Sequence, residues 1–213
     1  MEQQELIIRI AGDEDAAALS EIYRPYVEET AITFEYEAPD KAEFARRMTH
    51  TLQRYPYLIA ELEGTAVGYA YAGPLHSRPA YDWSVETSIY VAEGERGHGV
   101  GRALYEKMET VLRLQNVVSV NACIAYPERE DEYLTYASIR FHQKLGYTMV
   151  GQFHQCAYKF KRWYGMAWME KSIAPRLEEQ PPFCPFPLVR EEAERLLCAD
   201  AGRKRKGIDI WGK

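Results

Sequence analysis

No run in this chain stays apolar for the roughly 20 positions that a membrane-spanning helix needs, so neither a membrane span nor a membrane partner is expected. The first ten residues mix acidic side chains with a short apolar run, which is not the pattern of a secretion signal. Cysteine is scarce. Cys123, Cys156, Cys184 and Cys198 are the four present, and no two share a C-x-x-C spacing, so a zinc framework is not expected and no metal is assigned. They read as reduced thiols of a cytoplasmic protein, with Cys123 inside an apolar strand pattern and therefore in the core. Positive charge is also short: 26 Lys and Arg against 32 Asp and Glu leave a formal net charge of -6, which argues against nucleic acid as a partner. Internal repeats are missing as well. What remains is ordinary globular composition, 46% hydrophobic and 27% charged over 213 residues, enough for one domain with an appendage.

Periodicity predicts the elements. Leu6 to Ile10 is a strand, and residues 14–27 a helix with Pro25 near its end. Residues 30–37 are β-rich and read as a loop or short strand. Asp40 caps a second helix running to residue 53. Strands follow at 57–61, 66–72 and Ser84 to Val91. Residues 93–101 form a glycine-rich loop, 102–114 a helix and 117–125 a strand. A helix over 136–145 ends at Gly146, and two late strands at 148–158 and 164–171 complete a sheet. The strands do not alternate regularly with helices, so the fold class is α/β of the α+β kind, with a mixed sheet rather than a doubly wound parallel one. Residues 1–173 read as the domain. Residues 174–213 read as a proline-bearing linker, a short helix at 189–197 and a basic extension with Arg203, Lys204, Arg205 and Lys206, more in keeping with a solvated terminus than a binding arm.

The chemistry concentrates in Arg96, Gly97, His98, Gly99, Val100 and Gly101, between a strand and a helix. Glycines let backbone N–H groups approach an anion, and a helix start adds free N–H groups and its positive dipole end. A P-loop would need Lys and Ser or Thr after the last glycine, where this chain has Arg102 and Ala103. A dinucleotide fingerprint would need the wider G-x-G-x-x-G spacing. The loop suits a pyrophosphate.

These residues resemble the GNAT acetyltransferase superfamily. R-G-H-G-V-G after S-I-Y-V is similar to its acetyl-CoA motif Q/R-x-x-G-x-G/A, with Arg96, Gly99 and Gly101 in the defined places. I-Y-R-P-Y-V, T-F-E-Y-E, Y-P-Y-L-I-A-E, A-Y-A-G-P, A-Y-D-W, V-E-T-S-I-Y-V and F-H-Q-K-L-G-Y follow in order and resemble the phosphinothricin N-acetyltransferases and their amino-acid-acetylating relatives. The resemblance implies a mostly antiparallel sheet with helices on both faces, whose fourth and fifth strands splay to admit the pantetheine arm of acetyl-CoA. It implies backbone contacts to that arm from Ile89, Tyr90 and Val91, with Val91 N–H as the oxyanion donor. Where relatives carry an Asn contacting the arm, this chain has Thr135, with Ser138 retained and a longer segment at 127–134 before them.

Alternation along the fourth strand sets Glu86, Ser88 and Tyr90 on one face. Glu86 matches the family glutamate beside the acceptor amine and is the expected base. His142 stands where many members place a Tyr that protonates the leaving thiolate, with Tyr147 and Tyr136 as alternatives. Thr87 and Ser88 join Glu86 on the acceptor side. Phe34, Glu35 and Tyr36 are expected to wall it, and Arg78 to clamp an acceptor carboxylate or phosphinate. Lys159, Lys161 and Arg162 read as a solvated cluster. The expected activity is acetyl transfer to the amine of a small amino-acid-like molecule, in a homodimer as in the relatives. Acetylation of a protein N-terminus or lysine, and a non-enzymatic acyl-CoA sensor, are the alternatives.

Overall fold

The computed structural model describes residues 5–199. Seven strands form one sheet in the order β1-β2-β3-β4-β5-β7-β6. They are β1 (Leu6–Ile10), β2 (Tyr57–Leu62), β3 (Thr65–Pro74), β4 (Ser84–Val91), β5 (Ser119–Tyr126), β6 (Thr148–Lys159) and β7 (Arg162–Ser172). Every neighbour is antiparallel except β4 and β5, which the crossover helix α3 (Val100–Leu114) makes parallel. The mixed, mostly antiparallel sheet expected from the sequence is therefore the observed one.

Two helices cover one face: α1 (Ala16–Glu28) and α2 (Lys41–Leu52) pack Leu19, Tyr23, Phe44 and Met48 onto Tyr57, Ile59 and Tyr69. The Asp40 carboxylate accepts from the Glu43 N–H at 2.8 Å, the cap that the sequence predicts. The opposite face carries α3, with Val100, Ala103, Leu104, Met108, Val111 and Leu112 buried at helical spacing, and α4 (Ala137–Lys144) with Ile139. Gly146, at φ +89, ends α4.

Residues 30–37, expected as a loop or short strand, form bends, because side chains bind their backbone: Thr30 Oγ1 donates to Tyr26 O at 2.7 Å and accepts from Ile32 N at 3.2 Å. Element boundaries next to the site differ from the expected ones. Helix α3 begins at Val100, so Val100 and Gly101 belong to its first turn. Strand β5 begins at Ser119, because Val117 N–H closes the end of α3 on Leu112 O.

Residues 181–199 pack on the domain. Trp83 Nε1 donates to Pro181 O at 2.7 Å, Asn116 Nδ2 to Pro182 O at 2.8 Å and Gln115 Nε2 to Cys184 O at 2.9 Å. The Arg54 guanidinium lies over Phe183, and helix α5 (Phe186–Ala199) buries Phe186, Ala193 and Leu197 in the α3-side core. The basic cluster at 203–206 lies outside the described residues. No described helix is long and apolar enough to cross a membrane.

Candidate active site

The strands β4 and β5 pair only from Ser84 and Ser119 to Glu86 and Asn121. Beyond that they diverge and leave a gap. Thr87, Ser88, Ile89 and Tyr90 form one wall, Ala122 to Ala125 the other, and Tyr105, Ser138 and His142 close the α3–α4 side. The backbone of β4 is disposed to serve it. Ala92 N–H donates to Val67 on β3, and antiparallel alternation then turns Thr87, Ile89 and Val91 toward the gap. Thr87 O accordingly lies 3.4 Å from Tyr105 Oη. Val91 is already engaged: its N–H donates to Tyr26 Oη at 3.0 Å, and that hydroxyl donates to Val91 O at 2.6 Å.

Glu86 stands where pairing ends. The alternation read from the sequence holds, with Tyr90 packing edge-on to Tyr23 and Tyr26 on the α1–α2 face. Burial pushes the Glu86 carboxyl above its ordinary range, since the charged form loses hydration. Among the described residues no group hydrogen-bonds to this carboxylate, which leaves its lone pairs available. Val91 lies five residues further along β4, about 16 Å of strand from Glu86. One reacting carbon cannot be served by both, so Val91 N–H is a poor oxyanion donor. Pairing with Asn121 uses the Thr87 N–H, so the gap-facing amide nearer Glu86 that stays open is that of Ile89.

His142 is buried among Tyr105, Phe141 and Tyr147. Its Nδ1 lies 2.8 Å from Ser138 O, which can only accept, so Nδ1 carries the proton and Nε2 accepts from Tyr105 Oη at 3.2 Å. Burial lowers its pKa to about 4, only partly offset by the Ser138 carbonyl. The ring is neutral at pH 7 and its one N–H is held by the Ser138 carbonyl. This contradicts the expected role as proton donor to a thiolate; His142 instead holds Tyr105. The shift has a stability consequence. The unfolded state binds the proton more tightly, so the contribution is full above pH 6.5 and is lost as pH falls toward 4. About 2 kcal/mol is gone by pH 5. Urea midpoints at pH 7.5 and 5 are expected to differ accordingly, and His142→Gln to flatten that difference.

The glycine turn joins β4 to α3. Gly97 and Gly99 adopt φ +85 and +88, the left-handed region, and Gly99 caps α3 without any side-chain cap on the helix N–H groups. Gly101 has a different reason to be glycine: a Cβ there would meet the Phe141 ring at 3.1 Å. Arg96 is exposed and lies over the Tyr26 ring, and exposed His98 sits 3.6 Å from Glu95.

The acetyltransferase (GNAT) domain model matches residues 8–168. The chain belongs to the GNAT acetyltransferase family. It is 34% identical to a phosphinothricin N-acetyltransferase of Streptomyces viridochromogenes over 81% of this chain and 90% of that one. It is 32% identical to an L-methionine sulfoximine/L-methionine sulfone acetyltransferase of Salmonella typhimurium, over 79% and 95%. A GNAT phosphinothricin acetyltransferase of Sinorhizobium meliloti, solved with acetyl-CoA, superposes with TM-score 0.74 at 29% identity over 85% and 98%. The protein is an N-acetyltransferase, and acetyl-CoA is its acetyl donor. The uncapped start of α3 and the gap with its outward-turned amides fit that donor: a polyanion at the turn, an amide-bearing arm between the strands.

Seen as a GNAT enzyme, the remaining expected residues divide. Ser138 lines the gap, whereas exposed Thr135 uses its hydroxyl to accept from Ala137 N–H at the start of α4. Arg78 stands on the exposed β3–β4 connection and does not line the gap. The Glu35 carboxylate is taken by Arg47 at 2.7 Å and by Tyr23 at 3.0 Å. Phe34 packs with Ala31, Ala125 and Leu134, and exposed Tyr36 donates its hydroxyl to Tyr158 O. Lys159 is not solvated: it is buried and donates to Thr33 O at 2.8 Å, whereas Arg162 pairs with Asp131 and Glu132. Sequence reasoning missed three tyrosines. Tyr26 holds Val91, Tyr105 lies within reach of Thr87 O, and Tyr71 stands opposite Ser88 in register. All three sit in or beside quoted segments, but a tyrosine's partner on another element is not legible from its own neighbours.

Proposed function

We propose that the enzyme acetylates the primary amine of a small amino-acid-like acceptor of the phosphinothricin or methionine sulfone type. The observation that carries this is Glu86, partly buried and, among the described residues, without a hydrogen-bond or ion-pair partner where the β4–β5 gap begins. An ammonium acceptor reaching that point gives one proton to Glu86, directly or through a water. The freed lone pair forms the C–N bond to the acetyl carbon, and the C–S bond breaks. The nitrogen's second proton ends on the departing sulfur. The chain's part is to hold the two reactants in one geometry and to offer the Ile89 amide to the developing oxyanion. Transfer is direct, since the cysteine nearest the gap, Cys123, has its thiol pushed up to about 12 by burial and is a poor nucleophile.

Acceptor size is limited from above. The bends at 31–36 are tied to the β6–β7 hairpin by Tyr36 on Tyr158 O and by Lys159 on Thr33 O. Such a bridge favours a free amino acid over a peptide in an open groove. Competition between phosphinothricin, methionine sulfone and a short peptide for limiting acetyl-CoA, read as N-acetyl products by mass spectrometry, tests this. The free amino-acid analogues are expected to win; preferential peptide acetylation would replace this reading with the protein-directed one.

The same reading carries a cytoplasmic location, where acetyl-CoA is at hand, and a homodimer. The edge strand β6 and its hairpin support the dimer, with Val150, Phe153, Tyr158 and Trp163 all exposed. Light scattering that gives a monomer mass would remove the dimer alone.

A further inference from the structure

On the α3–α4 side of the gap, Ser138, His142 and Tyr105 hold one another in a fixed order. His142 gives its Nδ1 proton to Ser138 O at 2.8 Å, which leaves Nε2 able only to accept. Among the described residues the donor at Nε2 is Tyr105 Oη, 3.2 Å away. Both side chains are buried, and a buried ring nitrogen left without a donor loses its hydration for nothing. The phenol hydrogen is therefore committed to His142. Tyr105 keeps its lone pairs but has no hydrogen to give to a leaving thiolate, and burial pushes its pKa well above the ordinary phenol range.

The Tyr105 oxygen sits between two residues that line the gap, His142 on one side and Thr87 on the other. Thr87 O, 3.4 Å from it, has no strand partner, because pairing between β4 and β5 ends at Glu86 and Asn121. Two acceptor oxygens thus lie side by side with no hydrogen between them. The hydroxyls behind them are spent: Thr87 Oγ1 donates to Asn121 O at 3.2 Å, and Tyr147 Oη, 3.4 Å from Thr87 Oγ1, is left to donate to it. What fits such a pair is an N–H donor arriving in the gap. The arm of acetyl-CoA carries two secondary amides, each with one N–H.

We infer that Tyr105 is a coenzyme-binding residue: its hydroxyl, held as an acceptor by His142, receives an amide N–H of the pantetheine arm together with Thr87 O. His142 is then a positioning residue that acts through Tyr105. The inference rests on the gap as the seat of the arm and not on which amine is acetylated. Calorimetric titration with acetyl-CoA and with two analogues, each carrying an ester in place of one arm amide, tests it. An ester keeps the carbonyl and removes the N–H. The native chain should bind one of the two analogues about tenfold more weakly than acetyl-CoA, the scale of one buried hydrogen bond. Tyr105→Phe should lose a similar factor for acetyl-CoA and most of its discrimination against that analogue. His142→Leu should also weaken acetyl-CoA binding, and His142→Gln, whose carbonyl can accept from Tyr105, should restore it. Equal discrimination in native and Tyr105→Phe chains would overturn the inference. So would a native chain that binds both esters as tightly as acetyl-CoA, a result that needs no variant. Ala122→Phe, which fills the gap, separates the two readings. If it blocks acetyl-CoA while the esters show no discrimination, only the role of Tyr105 fails. If it binds acetyl-CoA normally, the gap assignment fails and takes Tyr105 with it.

Discussion

Glu86→Gln is expected to lower kcat/KM at pH 7 by about a hundredfold or more, the usual contribution of a positioned base, while leaving acetyl-CoA affinity unchanged. Glutamine keeps the shape and hydrogen-bonding reach of the side chain but cannot take a proton. The loss should depend on pH in a defined direction. Burial raises the Glu86 carboxyl, so activity of the native enzyme should fall as acid protonates it. As pH rises toward the acceptor's own pKa, free amine appears without help, and the gap between native and variant should narrow. Rates from pH 6 to 9.5, with acetyl-CoA binding measured separately, read both. Equal rates at pH 7 would remove Glu86 as the base. A changed coenzyme affinity with unchanged turnover would move its role to the donor side.

Gly99→Val is expected to weaken acetyl-CoA binding by at least about tenfold, with little loss of overall stability. At φ +88 a residue carries its Cβ into the following carbonyl, and a β-branched side chain suffers most. The strain is of the order of 1–3 kcal/mol and relieves itself by turning the first N–H groups of α3 off their common direction. Those groups are what an anion at the helix start uses. Calorimetric titration of native and variant with acetyl-CoA, alongside urea unfolding, separates the two effects. Normal affinity would refute the phosphate role of the turn.

Local features of the chain were legible because their causes are local. The Asp40 cap, the Gly146 stop, the alternation along β4 and the order of elements rest on residues a few positions apart. The start of α3 was misjudged by two residues because Gly99 and Gly101 look alike in sequence, yet one satisfies a left-handed backbone and the other makes room for Phe141. What failed needed partners distant in the chain. Lys159 reads as solvated until Thr33 O is brought to it, and Glu35 reads as a site wall until Arg47 and Tyr23 take its charge. His142 reads as an acid because imidazole titrates near neutral pH. Burial against three aromatic rings and the Ser138 carbonyl remove that capacity, and neither is written in F-H-Q-K-L-G-Y. The proline-bearing stretch reads as a linker because nothing nearby announces that Trp83, Gln115 and Asn116 bind its carbonyls.

The most direct test of the account is acceptor-dependent thiol release from acetyl-CoA by the purified full-length chain. With phosphinothricin, methionine sulfone or methionine sulfoximine present, release should far exceed the rate without acceptor and should fall with Glu86→Gln. Tight acetyl-CoA binding with no acceptor-dependent release across free amino acids and their analogues would contradict it.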